Sequence, residues 1–280
     1  MTATRPVARN EQDLVDADEA LPFGTFAPNG MQRSLLSAAR NSFLRRGLFR
    51  RWMSRRIMGT SGPPLDVTFR DCAYRLRGLN NLIEFGILLT PDYNAADIDF
   101  LLDGSSPGDT FVDVGANIGL YTQPLARRAG SGTVVAIDAN PLMARRLAWN
   151  VAASGLRNVR IFPCAVSDRE GAASLSIRKD DIAIVSVEEH EGGPVPVRTL
   201  AGILEEAGVT AIHGLKIDIE GHEDKALAPF IRDAAGHLLP KRIVIERAPG
   251  GDYPECAAAF AARGYARVGQ SRNNSFYLRG

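Results

Sequence analysis

The chain has 280 residues, of which 45% are hydrophobic and 23% charged, with a formal net charge of +1. These totals suit one large globular domain, or a domain with an appendage, and exclude a disordered chain or one charged throughout for an acidic or basic partner. Cys72, Cys164 and Cys256 lie far apart and match neither a disulfide framework nor a zinc spacing, no apolar run is long enough to cross a bilayer, and the start lacks a signal-peptide pattern. A reducing, cytoplasmic setting is expected, with attachment to a membrane no more than peripheral.

Residues 1–30 are mixed polar, with acids at Glu11, Asp13, Asp16, Asp18 and Glu19, and are expected to be disordered or loosely attached. Residues 31–58 differ sharply. They carry eight arginines (Arg33, Arg40, Arg45, Arg46, Arg50, Arg51, Arg55, Arg56), no acid, and Leu35, Leu36, Phe43, Leu48, Phe49, Trp52 and Ile57 at loosely helical spacing. That pattern predicts a basic amphipathic helix or a broken pair of them. It either packs on the domain and shows its arginines to water, or makes peripheral contact with an anionic membrane or an acidic carrier. No nucleic-acid module accompanies the charge, so no nucleic-acid partner is expected. The Gly/Ser/Pro stretch at 59–64 marks a boundary between an extension, 1–62, and a domain, 63–280, whose first part, 63–106, forms a small cap.

Within the cap, 67–76 reads as a strand or hairpin, and 80–89 and 95–102 as helices. Residues 110–114 read as a buried strand that breaks into Gly115-Ala116-Asn117-Ile118-Gly119, and a helix follows from Leu120 to Ala129. A strand, a glycine turn and a helix open a doubly wound α/β fold, with a ligand crevice at the strand's carboxyl end. Gly115 permits the tight turn, and Gly119 permits close packing of the helix on the strand. The spacing is GxxxG, with Asp113 two residues ahead. It lacks the central glycine that makes room for a dinucleotide pyrophosphate, and fits S-adenosyl-L-methionine (SAM), which has no phosphates.

The second strand, 133–137, ends on Asp138, about 20 residues past the turn, where a carboxylate commonly takes ribose hydroxyls. A helix over 141–154 and a third strand over 159–162 come next. Ala139 follows Asp138, Ala165 and Val166 are expected to wall the adenine, and Ser167 or Asp168 to bond its edge. Residues 172–177 read as one strand of an added hairpin, and 178–193 as an irregular substrate loop. Residues 215–219 read as a buried strand that carries Lys216, Asp218 and Glu220. Ionised groups on a central strand are costly unless paired or reaching a site, so Asp218 and Glu220 are expected to face the crevice beside Gly115. A strand over 242–245 ends on Glu246, a helix spans 254–263, and a last hairpin joins 266–268 to 275–278.

With these motifs together, the chain resembles the FkbM family of SAM-dependent methyltransferases from about Pro107 to Val268. The resemblance is carried by PGDTFVDVGANIG (107–119), Asp138, AVSDREG (165–171), VRTL (197–200), LKIDIEGHE (215–223) and IVIE (243–246). It implies a class I, Rossmann-like methyltransferase fold: a seven-stranded, mostly parallel sheet whose last strand is antiparallel. It also implies methyl transfer to a hydroxyl of a sugar, a glycan or lipid-linked glycan, or a secondary metabolite. The family often shows a Tyr-Glu pair before the first core strand, where this chain has Tyr93-Asn94.

In-line methyl transfer needs alignment, and a hydroxyl acceptor needs a base. Asp218 is the first candidate base and His222, with its near-neutral titration, the second. Glu220 is expected to cap the following helix or hold the base. A divalent ion between carboxylates lacks a clear third ligand in the sequence, so no metal is assigned. Asp113 is expected to hold the methionine amino group, directly or through water, Asn117 to bond the carboxylate end, and Gly115, Ala116, Gly119 and Tyr121 to line the cofactor's turn. An NAD-dependent oxidoreductase shares the strand-turn-helix and Asp138 but is disfavoured by the missing glycine. A non-catalytic SAM-binding, membrane-associated protein is disfavoured by the intact Asp218.

Overall fold

A computed structural model describes residues 18–45, 47–59, 64–78, 81–178, 181–190 and 192–280. Residues 1–17, part of the expected disordered segment, lie outside the described residues. Helices α1 (Gly30–Arg40) and α2 (Gly47–Met58) precede a hairpin of β1 (Leu65–Phe69) and β2 (Cys72–Leu76) and helices α3 (Leu82–Leu89) and α4 (Ala95–Leu102). The core then runs β3 (Phe111–Val114), α5 (Thr122–Ala129), β4 (Val134–Ile137), α6 (Pro141–Ala153) and β5 (Val159–Phe162). Four strands follow: β6 (Ala165–Ser167), β7 (Gly171–Arg178), β8 (Asp181–Glu189) and β9 (Val195–Thr199). The chain closes with α7 (Leu200–Glu206), β10 (Gly214–Ile217), α8 (Glu223–Asp233), β11 (Arg242–Glu246), α9 (Pro254–Ala262), β12 (Tyr265–Gln270) and β13 (Asn274–Arg279).

The central sheet has the order β12-β13-β11-β10-β3-β4-β5, with β13 antiparallel to both neighbours and the β11-to-β5 half parallel. This is the doubly wound class I methyltransferase sheet. Alternation along the short strands sets the two cores. Val112, Val114, Leu215, Ile217, Ile243 and Ile245 bury one face among residues of α7, α8 and α9, including Leu204, Leu227 and Phe260. Phe111, Val134 and Val244 bury the other face with Ile98, Leu101 and Leu125 of α4 and α5, Tyr74 of the hairpin and Ile57 of α2. Asp113 and Lys216 fall on this second face and are register partners on adjacent parallel strands. Their pairing answers why a central strand carries a buried lysine.

Two expectations change. Residues 18–29 are not loosely attached. Arg75, 3% exposed, spends all five of its N–H donors on that segment and on Asp66: Nε and Nη2 on the Asp66 carboxylate (2.7 and 2.9 Å), and the rest on the carbonyls of Asp18, Leu21 and Pro22. Its guanidinium also lies 3.9 Å from the Trp149 ring centroid. The expected substrate loop at 178–193 is instead largely strand. β8 pairs antiparallel with β7 in a separate sheet of order β6-β9-β7-β8, consistent with the β-branched Ile182, Ile184, Val185 and Val187 in its sequence.

The basic segment is a broken pair of helices packed on the domain. Leu36, Ala39, Met53, Ile57 and Met58 are buried, while Phe43, Phe49 and Trp52 are 66%, 51% and 57% exposed. All three cysteines are buried and free, and no helix among the described residues is long and apolar enough to cross a membrane.

Candidate active site

The chain leaves β3 through Gly115 at φ +78°, a conformation costly for any residue with a side chain. A Cβ there would stand 1.9 Å from the Asp218 carbonyl oxygen. The glycine therefore lets the β3 turn touch the loop after β10, and that contact brings Asp218 to the crevice. The amides of Gly115 and Ala116 both donate to the Ile137 carbonyl (2.9 and 3.0 Å), which ties the turn to the end of β4. Asn117 is left-handed at φ +48°, a conformation asparagine tolerates. Its side-chain oxygen accepts from Ile118 N and Asn81 Nδ2, each at 2.9 Å. Gly119 makes room for Leu147 of α6, whose Cδ1 would lie 2.6 Å from an added Cβ. The helix itself starts at Thr122 rather than Leu120.

Asp138 sits just past β4. Its two carboxylate oxygens accept the amides of Asn117 (2.7 Å) and Asn140 (2.8 Å). Burial pushes its pKa up to about 6, against the lowering effect of those two amides. It lines a cavity with Asn117, Ala139, Ala165 and Val166, and the same cavity reaches Gly115, Asp218, Glu220 and His222. A second cavity, of about 430 Å³, lies on the other side of Gly115 and Asp218. It is lined by Ala116, Tyr121 and Lys216 from the core, residues 92–97 of the cap, Arg50 of α2, residues 271–273 between β12 and β13, and Asn274 at the start of β13. Gly115 and Asp218 border both spaces.

Lys216 Nζ donates to the Gly115 carbonyl (2.9 Å) and lies 3.8 Å from Asp113 and 3.7 Å from Asp218. Burial works against its charge, yet Asp218 and Asp113 together raise its pKa, so it is the buried cation of the site. Burial also raises the pKa of Asp113, an effect that Lys216 opposes. Across the loop, Glu246 is pushed up to about 9, first by burial and then by the charges of Asp218 and Glu220. Asp218, Glu223 and Glu246 each offer a carboxylate oxygen, all within 4.8 Å of one another. Glu223 is already engaged: its oxygens accept the amides of Ile219 (2.7 Å) and Gly221 (2.9 Å).

The expected site residues therefore separate into groups. Asn117, Asp138, Ala139, Ala165 and Val166 border the first cavity, Ala116 and Tyr121 the second, Gly115 and Asp218 both, and Gly119 neither. Asp113 borders neither. Its position on β3 turns it under α5, where Oδ2 accepts from the Thr122 hydroxyl. Ser167 is likewise turned away from the adenine wall, because its hydroxyl donates to Glu189 at 2.6 Å. Glu220 is exposed at φ +55°, and the amides of Ile219 and Gly221 ahead of α8 are taken by Glu223. His222, at the start of α8, faces the first cavity and not the second. Asp97 and Asn274 were not expected at the site. They come from a cap helix and a hairpin turn, which carry no local motif, and only the folded chain joins them.

The profile of the methyltransferase FkbM domain matches residues 113–265, more than half of the chain. Comparison with curated protein sequences gives no significant match. Among solved structures, the chain is similar to M. jannaschii TYW2 in complex with AdoMet, at 14% identity over 78% of this chain and 87% of that one, with a TM-score of 0.41. It is also similar to a SAM-dependent O-methyltransferase from Thermotoga maritima (14% identity, 66% and 64% of the two chains, TM-score 0.43). A third is precorrin-6y C5,15-methyltransferase from Geobacter metallireducens GS-15 (13% identity, 67% and 85%, TM-score 0.42). On the strength of the profile match, the chain belongs to the FkbM family of SAM-dependent methyltransferases.

Proposed function

We propose that this enzyme transfers the methyl group of SAM to a hydroxyl oxygen of a sugar, a glycan or lipid-linked glycan, or a secondary metabolite, with Asp218 as the base. The observation that carries the reading is the shared border: Asp218 and Gly115 line both the cavity that suits an adenosine and the roomier one beside it. The residues present fit the cofactor. Asp138 offers a buried carboxylate to a ribose, Ala139, Ala165 and Val166 offer an apolar wall, and Gly115 holds the turn open. The bound cofactor supplies an electrophilic methyl on a cationic sulfur. The protein's part is to align an acceptor oxygen and take its proton. Asp218 borders the acceptor-sized space and receives that proton, while Lys216 holds its carboxylate from the core side. Burial and the neighbouring acids push Glu246, beside it, toward its neutral form. His222 faces only the first cavity, which favours Asp218 over it.

Cofactor binding should depend on pH through Asp138. Ribose hydroxyls donate to its ionised form, and its pKa without ligand is about 6. Affinity for S-adenosylhomocysteine, measured by calorimetry, is expected to be constant above about pH 7 and to fall as the pH drops through 6, by up to roughly tenfold per unit. Asp138→Asn should bind weakly and without that dependence. A wild-type affinity unchanged between pH 5 and 8 would remove Asp138 from the ribose.

For the basic segment we propose a peripheral contact with an anionic membrane. Phe49 and Trp52 are exposed on the same helix as exposed Arg51, Arg55 and Arg56, the combination of wedge and charge that binds an interface. The full chain should float with anionic vesicles at low salt and not with neutral ones. Phe49→Ala/Trp52→Ala should lose most of that binding. A wild-type chain that stays at the bottom of the gradient would discard the contact.

A further inference from the structure

We infer that Asp97 Oδ1 receives the α-ammonium of the cofactor's amino-acid end, an assignment that rests on SAM being the cofactor. Asp97 stands in the first turn of α4 and is 1% exposed. Its Oδ2 accepts two bonds, from the Tyr121 hydroxyl and from Asn274 Nδ2, each at 2.8 Å. Asn94 Nδ2 in turn donates to the Tyr121 oxygen at 2.8 Å. This chain of contacts, drawn from three distant parts of the sequence, fixes the carboxylate through Oδ2. Asp97 Oδ1 is buried without a hydrogen-bond partner, and Asp97 borders the second cavity. A buried carboxylate oxygen left without a donor is costly, and a donor on a ligand that fills the cavity bordered by Asp97 relieves it as the ligand packs against that side chain.

Charge selects which donor. The two groups that bond Asp97 are neutral. The buried cation nearby, Lys216, is directed at the Gly115 carbonyl and shared between Asp113 and Asp218. Asp113 and Asp218 share that ammonium, Arg50 and Arg272 border the cavity without an ion pair to Asp97 among the described residues, and a cationic donor on the ligand matches the Asp97 charge where a neutral hydroxyl does not. Geometry agrees. A ligand whose ribose lies at Asp138 and that passes the Gly115–Asp218 border extends its amino-acid end into the part of the second cavity beside Asp97, and the rest of that space, of about 430 Å³, is left to the acceptor. The site's other orphaned carboxylate oxygen, Asp113 Oδ1, borders neither cavity and has Lys216 3.8 Å away. It therefore cannot replace Asp97 in this role.

The test compares two ligands that differ in the amino-acid end. S-adenosylhomocysteine carries it, and 5′-methylthioadenosine has the same adenosine and thioether without it. In calorimetric titrations, Asp97→Asn should weaken S-adenosylhomocysteine by about tenfold to a hundredfold, the loss of one charge-assisted hydrogen bond, and leave methylthioadenosine unchanged. Equal weakening of both ligands, or of neither, overturns the assignment. The unmodified protein gives a second reading that does not depend on the variant's folding: an S-adenosylhomocysteine analogue lacking only the α-amino group should bind about as weakly as methylthioadenosine. If that analogue binds like S-adenosylhomocysteine, the assignment falls while the cofactor reading stands. Wild-type protein that binds none of the three sinks both.

Discussion

Asp218→Asn is expected to lower the rate of methyl transfer by about 10²–10⁴-fold, the usual contribution of a positioned base, while S-adenosylhomocysteine still binds within a few-fold of wild type. The substitution keeps the size and the acceptor oxygen of the side chain but removes its capacity to take a proton at neutral pH. Binding should survive because the adenosine contacts proposed above are Asp138, Ala165 and Val166, away from the changed atom. Lys216 keeps its bond to the Gly115 carbonyl and its neighbour Asp113. The measurement is turnover of labelled SAM on an acceptor found by screening sugar, glycan and metabolite hydroxyls, with calorimetry alongside. Turnover at the wild-type rate would transfer the base to His222, and His222→Asn would then be the variant that loses activity.

Gly115→Ala should abolish cofactor binding, with a loss of more than a hundredfold, and destabilise the protein by on the order of 3 kcal/mol or more. Two costs combine. The backbone is left-handed at φ +78°, and the added Cβ would meet a main-chain oxygen, Asp218 O, at 1.9 Å, which no side-chain rotation relieves. The turn after β3 and the loop after β10 would have to separate, and with them the shared border of the two cavities. Gly221→Ala is the control. Its φ is +104°, but nothing lies within 4 Å of its added Cβ, so only backbone strain of about 1–2 kcal/mol is expected. Thermal melts and titration of both variants check the contrast. A Gly115→Ala protein that melts and binds like Gly221→Ala would show that the close approach is dispensable.

The sheet and the first half of the site were legible because their signals are local. A β-strand, GANIG and an acid some 20 residues on are contiguous in sequence, and their physical meaning does not depend on what packs elsewhere. Alternation on β10 likewise announced a buried lysine that needed partners. What sequence could not supply was direction. Asp113 has the right spacing for the methionine end, yet strand alternation puts it on the face covered by α5, next to Thr122. Ser167 has the right position for an adenine edge, yet its hydroxyl is taken by Glu189, 22 residues later. Glu220 and Glu223 are both acids near the start of α8, and only the loop's path decides that Glu223 faces the amides. Asp97 and Asn274 are 177 residues apart and meet because β13 returns beside β11 and α4 packs beneath it.

Arg75 bears on how the polypeptide can be divided. The profile match begins at Asp113, and the Gly/Ser/Pro stretch at 59–64 invites a cut there. The guanidinium of Arg75 nevertheless gathers three carbonyls from residues 18–22, and Glu19 reaches onward to Arg145 and Trp149 of α6. A fragment beginning at residue 63 would open that nest and leave a desolvated ion pair with most of its acceptors gone. The leading segment thus behaves as a strap buckled onto the catalytic body, and the smallest portable unit of this enzyme starts at or before Asp18.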